Sequence, residues 1–190
     1  MQKKEEEAIV LDFLPNGYPF DSRPMHLKTP IVHAMGKEHF TLLELVPRKG
    51  VFLQPNEIVY IGEAKRDKIH HINGRIAYDK LTGTAKNGLK HMVEERVQEQ
   101  EARFVEFFNK AQPVSTRMHV LELLPGVGKK HMWEIITERK AEPFKSFADL
   151  RTRVKLMPDP VTTIVKRITS ELEGKEKHYL FVDRPSDKNE

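Results

Sequence analysis

The stretch Val120-Leu121-Glu122-Leu123-Leu124-Pro125-Gly126-Val127-Gly128-Lys129-Lys130 constrains this chain more than any other. Its spacing predicts the end of one apolar-faced helix, a bend too tight for side chains at two positions, and the start of a second helix. Gly126 and Gly128 can take positive φ and leave their main-chain amides uncovered. The N-terminus of a following helix adds aligned N–H groups and a partial charge of about +0.5. Lys129 and Lys130 fall on its first turn, where cations oppose the helix dipole. That placement is poor for stability alone and sensible where an anion such as a phosphate completes the site. Pro-Gly-x-Gly between helices is also an ordinary cap and turn, so both readings stand on these residues alone. Leu121 and Leu124 before the bend, and Trp133, Ile135 and Ile136 after it, are expected to form the interior of a helix pair.

The bend and its flanks resemble a helix-hairpin-helix element. Downstream, Pro143-Phe144-Lys145-Ser146-Phe147-Ala148-Asp149-Leu150 resembles the Phe-x-Ser-x-x-Asp-Leu segment that follows the first hairpin in tandem domains of this kind. The resemblance covers about residues 116–174 and implies a second hairpin between Val154 and Ile168. There Met157-Pro158-Asp159-Pro160 replaces the glycine turn. Proline has no N–H to donate, and Asp159 would repel a phosphate. One working hairpin and one structural pseudo-repeat are therefore expected. The resemblance further implies phosphate binding around Gly126, Val127 and Gly128, and a Na⁺ or K⁺ ion on the carbonyls of Glu122, Leu124 and Val127.

Charge and composition narrow the partners. The net charge is +4 over 190 residues, and the basic excess lies outside the N-terminal Glu5-Glu6-Glu7 run, which reads as a solvated tail. Both halves of the chain are basic, which permits nucleic-acid binding. With no cysteine, disulfides, thiol catalysis and zinc ribbons are excluded and a reducing cytoplasm suits the chain. No apolar run approaches the roughly 20 residues of a membrane span, and the charged start lacks a signal-peptide core.

Taken in order, the chain predicts an α+β protein: an OB-like β-barrel over residues 1–80, a linking helix over 81–112 and a helix-hairpin-helix-like domain over 113–190. Ile31–Met35, Phe40–Val46, Ile58–Gly62 and Ile69–Tyr78 read as strands, with Asn73-Gly74 suggesting a hairpin over Lys68–Tyr78. A fifth strand would come from Ala8–Leu14 or from Tyr179–Val182. Phe40 and Phe52 are expected in the core. From about Ala85 to Lys110 the period becomes helical, interrupted on its apolar face near Gln100, with Thr82 or Thr84 as cap and Ser115 capping the next helix. The last helix runs from about Val161 to Leu172, and residues 183–190 read as a tail.

Lys145, Arg151, Arg153 and Lys155 follow the bend and with Lys129 and Lys130 would make a stripe along a phosphate backbone, the alternative being a solvated helix face. In the barrel, Lys65, Arg66 and Lys68 form a basic loop, and Tyr60 and Tyr78 are candidates for base stacking or for core packing. His70 and His71, adjacent on a strand, should point to opposite faces and not share an ion. His91 and Glu95 lie one helical turn apart without a third ligand at metal spacing. No phosphate-binding Walker loop, nucleophile elbow or dinucleotide fingerprint is present. As a whole the chain resembles an archaeal family of unknown function described as nucleotide- or RNA-binding. That implies nucleic-acid binding and brings no established activity. With no catalytic motif, the expectation is a cytoplasmic, non-enzymatic protein gripping RNA or DNA backbones, with no cofactor beyond Na⁺ or K⁺ at the bend. A protein-docking adaptor, or a nuclease using His91 or Glu95, are the alternatives.

Overall fold

The computed structural model describes residues 3–184. The chain forms two compact units, one built from the residues up to Met92 together with those from Ser170 onward, the other from Val93–Thr169. Both divisions fall within helices rather than at the changes of sequence period near residues 80 and 112. Residues 185–190, read above as part of a tail, lie outside the described residues.

In the first unit, β1 (Glu7–Leu14), β2 (Ile31–Gly36), β3 (Leu42–Pro47), β4 (Ile58–Tyr60) and β5 (Ile69–Arg75) form one sheet in the order β4-β1-β2-β3-β5. Every pairing is antiparallel. The sheet curls into a half-barrel with β4 and β5 as its edges, the coarser form of the expected OB-like barrel. The fifth strand is Glu7–Leu14, not the C-terminal segment. Asn73-Gly74 makes no hairpin. It lies inside β5, where Gly74 at φ 142° accompanies a register slip between Glu44 and Leu45, a bulge in place of a turn. Alternate residues Ala8 and Val10, Val32 and Ala34, Leu43 and Leu45 join Leu53, Val59, Ile61 and Ile69 in one core cluster. Phe40 is fully buried, whereas Phe52 is 79% exposed, with only its edge against Phe13.

The opposite face of the sheet carries Asp12, His33 and Glu44 side by side, since Asp12 pairs with His33 and His33 with Glu44 across three strands. Thr82 donates its amide to His33 Nδ1 (3.3 Å) and its hydroxyl to Asp12 (2.6 Å), and its Oγ also accepts the Ala85 N–H of the first turn of α1 (Gly83–Glu99). Thr82 is thus the helix cap. Because His33 Nδ1 accepts, Nε2 carries the proton and donates to the Tyr18 hydroxyl at 2.9 Å, which in turn donates to Glu44. Asn73 completes the row by donating to the other Glu44 oxygen at 2.7 Å. Burial first, then the Glu44 bond, pushes the Tyr18 phenol well above its ordinary range. Burial depresses the His33 imidazole despite the nearby Glu44 and Asp12 carboxylates. A second proton on His33 would face the Thr82 amide donor.

Two carboxylates close main-chain turns. Glu5, only 8% exposed, accepts the amides of Glu38 (3.0 Å), His39 (2.9 Å) and Thr41 (3.4 Å) in the β2–β3 connection. Glu7 begins β1 and pairs with Lys37 at 2.6 Å. Glu5 and Glu7 are therefore fixed at the start of the sheet rather than in a solvated tail, with Glu6 exposed between them. Their charges sit where amides and a lysine converge. Likewise Glu171, fully buried, accepts the amides of Leu180 (2.7 Å), Phe181 (3.0 Å) and Val182 (2.9 Å).

The helix expected over 85–110 is two, α1 and α2 (Glu101–Lys110), broken at Gln100 (φ −100°, ψ 32°) where the apolar stripe lapses. Ser115 caps no helix. It ends β6 (Pro113–Ser115), which pairs with β7 (Met118–His119). The apolar residues before the bend form only a 3-10 turn, Val120–Leu123, capped by His119. Then come α3 (Lys129–Ala141), α4 (Phe147–Arg153) and α5 (Pro160–Leu172). Phe104, Phe108, Leu121, Ile135, Leu150 and Ile164 are all fully buried.

Replacing Glu5 or Glu171 by Gln presents an NH₂ donor to amides that need acceptors, and each change should lower stability by about 1–3 kcal/mol in urea denaturation. The His33 imidazole is depressed on folding, so the unfolded chain binds more protons below about pH 6.5. Stability conferred by neutral His33 is complete above that pH and falls as the pH is lowered through it. His33→Gln should flatten this fall when pH 7 and pH 5 unfolding curves are compared.

Candidate nucleic-acid interface

Gly126 takes φ 77°, and a Cβ placed on it would lie 2.7 Å from Pro158 Cγ, so glycine is required there by both backbone and space. The turn of the second helical pair thus abuts the bend. Gly128 is extended at φ −91°, ψ −173°, with open space around it, and is the N-cap of α3 without any side-chain hydrogen bond. Its contribution is a missing cap, not a special conformation. The amides of Gly126, Gly128, Lys129, Lys130 and His131 donate to no acceptor among the described residues. Gly126, Gly128, Lys129 and Lys130 are exposed. Val127 does not fit its expected role, because its amide donates to Leu124 O at 3.1 Å and its side chain is buried.

The other helix N-termini of this unit differ. Ser146 Oγ accepts the Asp149 amide at α4. At α5, Asp159 accepts the Thr162 amide and hydroxyl (3.0 and 3.1 Å) and pairs with Arg151. Burial opposes ionisation of Asp159, but the Arg151 and Thr162 bonds outweigh it and hold this carboxyl below its ordinary range. The start of α5 therefore carries its own anion where the first bend leaves bare amides.

The basic residues separate into free and committed. Lys129, Lys130 and Lys155 are exposed and have no partner among the described residues. Lys145 pairs with Glu142 at 2.8 Å and Arg151 with Asp159. Arg153 is corrected to a structural role. Its guanidinium lies 4.5 Å over Phe144, meets Glu138 and Asp149, and donates to the carbonyls of Glu138 and Glu142 at the end of α3. In the sheet unit, Lys68 pairs with Glu57, Arg66 donates to Gly62 O at 2.8 Å, and Lys65 alone of the three is exposed without a partner. The Tyr60 hydroxyl accepts the Ala64 amide, and Lys86 Nζ sits 5.4 Å from the Tyr78 ring centre. The Tyr60 hydroxyl is thus engaged by the main chain and the Tyr78 ring by an ammonium group.

Of the carbonyls ascribed to a monovalent ion, Leu124 O accepts the Val127 amide, while Glu122 and Val127 flank it in the bend. Between Glu122 and Leu124, Leu123 O accepts from the buried Arg167 guanidinium at 2.8 Å, a permanent cation under the bend. No group of three or more His, Asp or Glu is placed to hold a metal ion among the described residues, His91 and Glu95 included. The rings of His70 and His71 do not diverge. Their Nδ1 atoms lie 2.7 Å apart, because β5 is an edge strand whose register slips beside them.

A family model described as protein of unknown function DUF655 matches residues 4–183. The chain belongs to the DUF655 family. It is 49% identical over 183 residues to the uncharacterized protein MJ0038 of Methanocaldococcus jannaschii, covering 95% of this chain and 81% of that one. The crystal structure of Af1531 from Archaeoglobus fulgidus, a DUF655 protein, superposes with a TM-score of 0.86 at 45% identity, covering 94% of this chain and all of that one. No described helix of this DUF655 chain is long and apolar enough to cross a membrane.

Two features of the DUF655 site escaped the sequence. Trp133, assigned to the helix-pair interior, is 60% exposed, since Met132 and Ile135 take the inward positions of α3. His119, buried in the two-residue strand β7 ten residues before α3, is the other, since a lone histidine carries no signal in the sequence. Gly126→Ala should cost about 1–3 kcal/mol through its positive φ and the contact with Pro158, whereas Gly128→Ala should change the thermal midpoint little.

Proposed function

We propose that this protein is a non-enzymatic nucleic-acid-binding protein whose bend at Pro125–His131 acts as a helix-hairpin-helix phosphate clamp. The observation that carries the reading is the set of five unpartnered amides at the start of α3, flanked by the exposed and unpaired Lys129 and Lys130. Aligned N–H groups and a positive dipole end favour a phosphate oxygen. The two lysines, placed against the dipole, gain a counter-charge when the phosphate arrives. Such contacts read the backbone and carry no sequence information. Lys155 belongs to the same clamp, lying in the turn whose Pro158 abuts Gly126. Lys65, which unlike Arg66 and Lys68 has no partner among the described residues, adds a weaker, separate contact. Asp159 at the N-terminus of α5 supports a single clamp, since it would repel a second phosphate there.

Affinity for a DNA duplex should fall steeply with added salt. Lys129→Glu combined with Lys130→Glu should reduce the slope of log K against log salt by about 2, one for each lost phosphate contact. Fluorescence anisotropy with a labelled duplex between low and moderate salt measures this. An unchanged slope, or binding indifferent to salt, contradicts the clamp.

A further inference from the structure

Beside the bend, β6, β7 and α3 enclose a groove of about 670 Å³, within the ~300–1,000 Å³ of sites that hold small organic groups. Its walls include the apolar Met132, Ile136 and the exposed face of Trp133, and its rim carries Arg117 and Lys129. Lys129 is common to the groove and to the clamp. The lining also contains His119, which is only 7% exposed. His119 Nδ1 accepts the Leu121 amide at 3.1 Å, so the ring proton sits on Nε2. That Nε2–H has no partner among the described residues and is not sealed from solvent. Burial first, then the Arg139 guanidinium, depresses the imidazole and keeps it a neutral donor near pH 7. The remaining charges are committed. Glu122 accepts the His119 amide at 2.8 Å, and Arg139 donates to Phe108 O and Ala111 O, each at 2.9 Å.

We propose that this groove receives one unpaired base, stacked on Trp133 and hydrogen-bonded through a carbonyl or ring nitrogen to His119 Nε2–H, while its phosphate lies on Lys129 and Arg117. The occupant is set by three requirements met together: a flat apolar body for the tryptophan face, an acceptor for one buried N–H, and an anion for two rim cations. An apolar protein segment can offer a flat ring and a main-chain carbonyl but no anion for the two cations. A nucleotide at a strand end, overhang or bulge satisfies all three, and a base held within a duplex cannot enter. The proposal rests on the phosphate clamp and names its substrate class as duplexes or strands with an unpaired nucleotide next to the gripped phosphate.

Trp133 is the sole tryptophan of the chain, so its emission reports the groove directly. The full chain would be titrated with a blunt duplex, the same duplex bearing a one-nucleotide overhang, and that overhang made abasic, each as RNA and as DNA. Expected is quenching of Trp133 and a roughly ten- to hundredfold tighter binding for the overhang over both other probes. Trp133→Ala should abolish that preference and leave blunt-duplex affinity unchanged, while Trp133→Phe retains part of it. His119→Asn keeps an acceptor for the Leu121 amide, removes the Nε2 donor, and should weaken only overhang binding. Equal affinity for all three probes with unquenched emission overturns the base pocket while leaving the clamp standing. Failure to bind any probe overturns both. A change in sedimentation of the protein alone on Trp133→Ala, without any effect on nucleic acid, assigns the groove to protein contact and also overturns the proposal.

Discussion

Main-chain amides that converge must be answered by an oxygen, and this chain answers them internally almost wherever they gather. Glu5 closes the β2–β3 connection, Glu171 holds Leu180–Val182, Thr82 caps α1, Ser146 caps α4 and Asp159 caps α5. The 3-10 turn before the bend is closed in both directions by His119 and Glu122. Helix α2 follows α1 after one residue, Gln100, whose carbonyl accepts the Arg103 and Phe104 amides of its first turn. Against this pattern, α3 begins at a glycine with no capping side chain and its first amides open to solvent. An exposed helix end can be satisfied by water. Two uncompensated lysines on the same turn make an anion the better partner.

The same accounting separates the two helical turns of the second unit. They touch, with Pro158 against the space a side chain at Gly126 would need, yet they have opposite electrostatic character. One carries a carboxylate tied to Arg151, and the other bare amides beside free ammonium groups. Arg153 and Arg167 sit inside this unit as fasteners, the first on carbonyls at the end of α3 and the second on Leu123 O. Guanidinium groups suit such work because their forked donors match several fixed oxygens at once. Lysines, with flexible stems and a hydrated charge, are left at the surface.

Much of the sheet was legible because short apolar runs bounded by turn residues are a local signal. Ile31–Gly36 and Leu42–Pro47 are such runs, each with a single polar residue, His33 or Glu44, inside it. Asn73-Gly74 misled, since the same dipeptide serves a tight turn or a bulge and only the partner strand decides. Whether the sheet closes depends on pairing between β4 and β5, which are eight residues apart in the chain yet form opposite edges of the sheet, and no local pattern encodes that. The acidic Glu5-Glu6-Glu7 run looked like a solvated tail because the amides that bind Glu5 lie about 35 residues away. At the bend, Gly126, Gly128 and the lysines were visible as a motif. The distinction between Arg153 and Lys155 was not, because composition treats every cation alike until its neighbours are known. Trp133 was misplaced by one helical position, which is enough to turn an interior residue outward.

The central claim is that the first amides of α3 are the anion-binding donors of this protein. Amide-resolved NMR during titration with a short oligonucleotide tests it most directly. The account predicts the largest shifts at Gly126, Gly128, Lys129, Lys130 and His131, with the capped starts of α4 and α5 nearly unmoved. Shifts centred instead on Ser146–Asp149 or Asp159–Thr162, or an unperturbed bend in an otherwise bound protein, would contradict it.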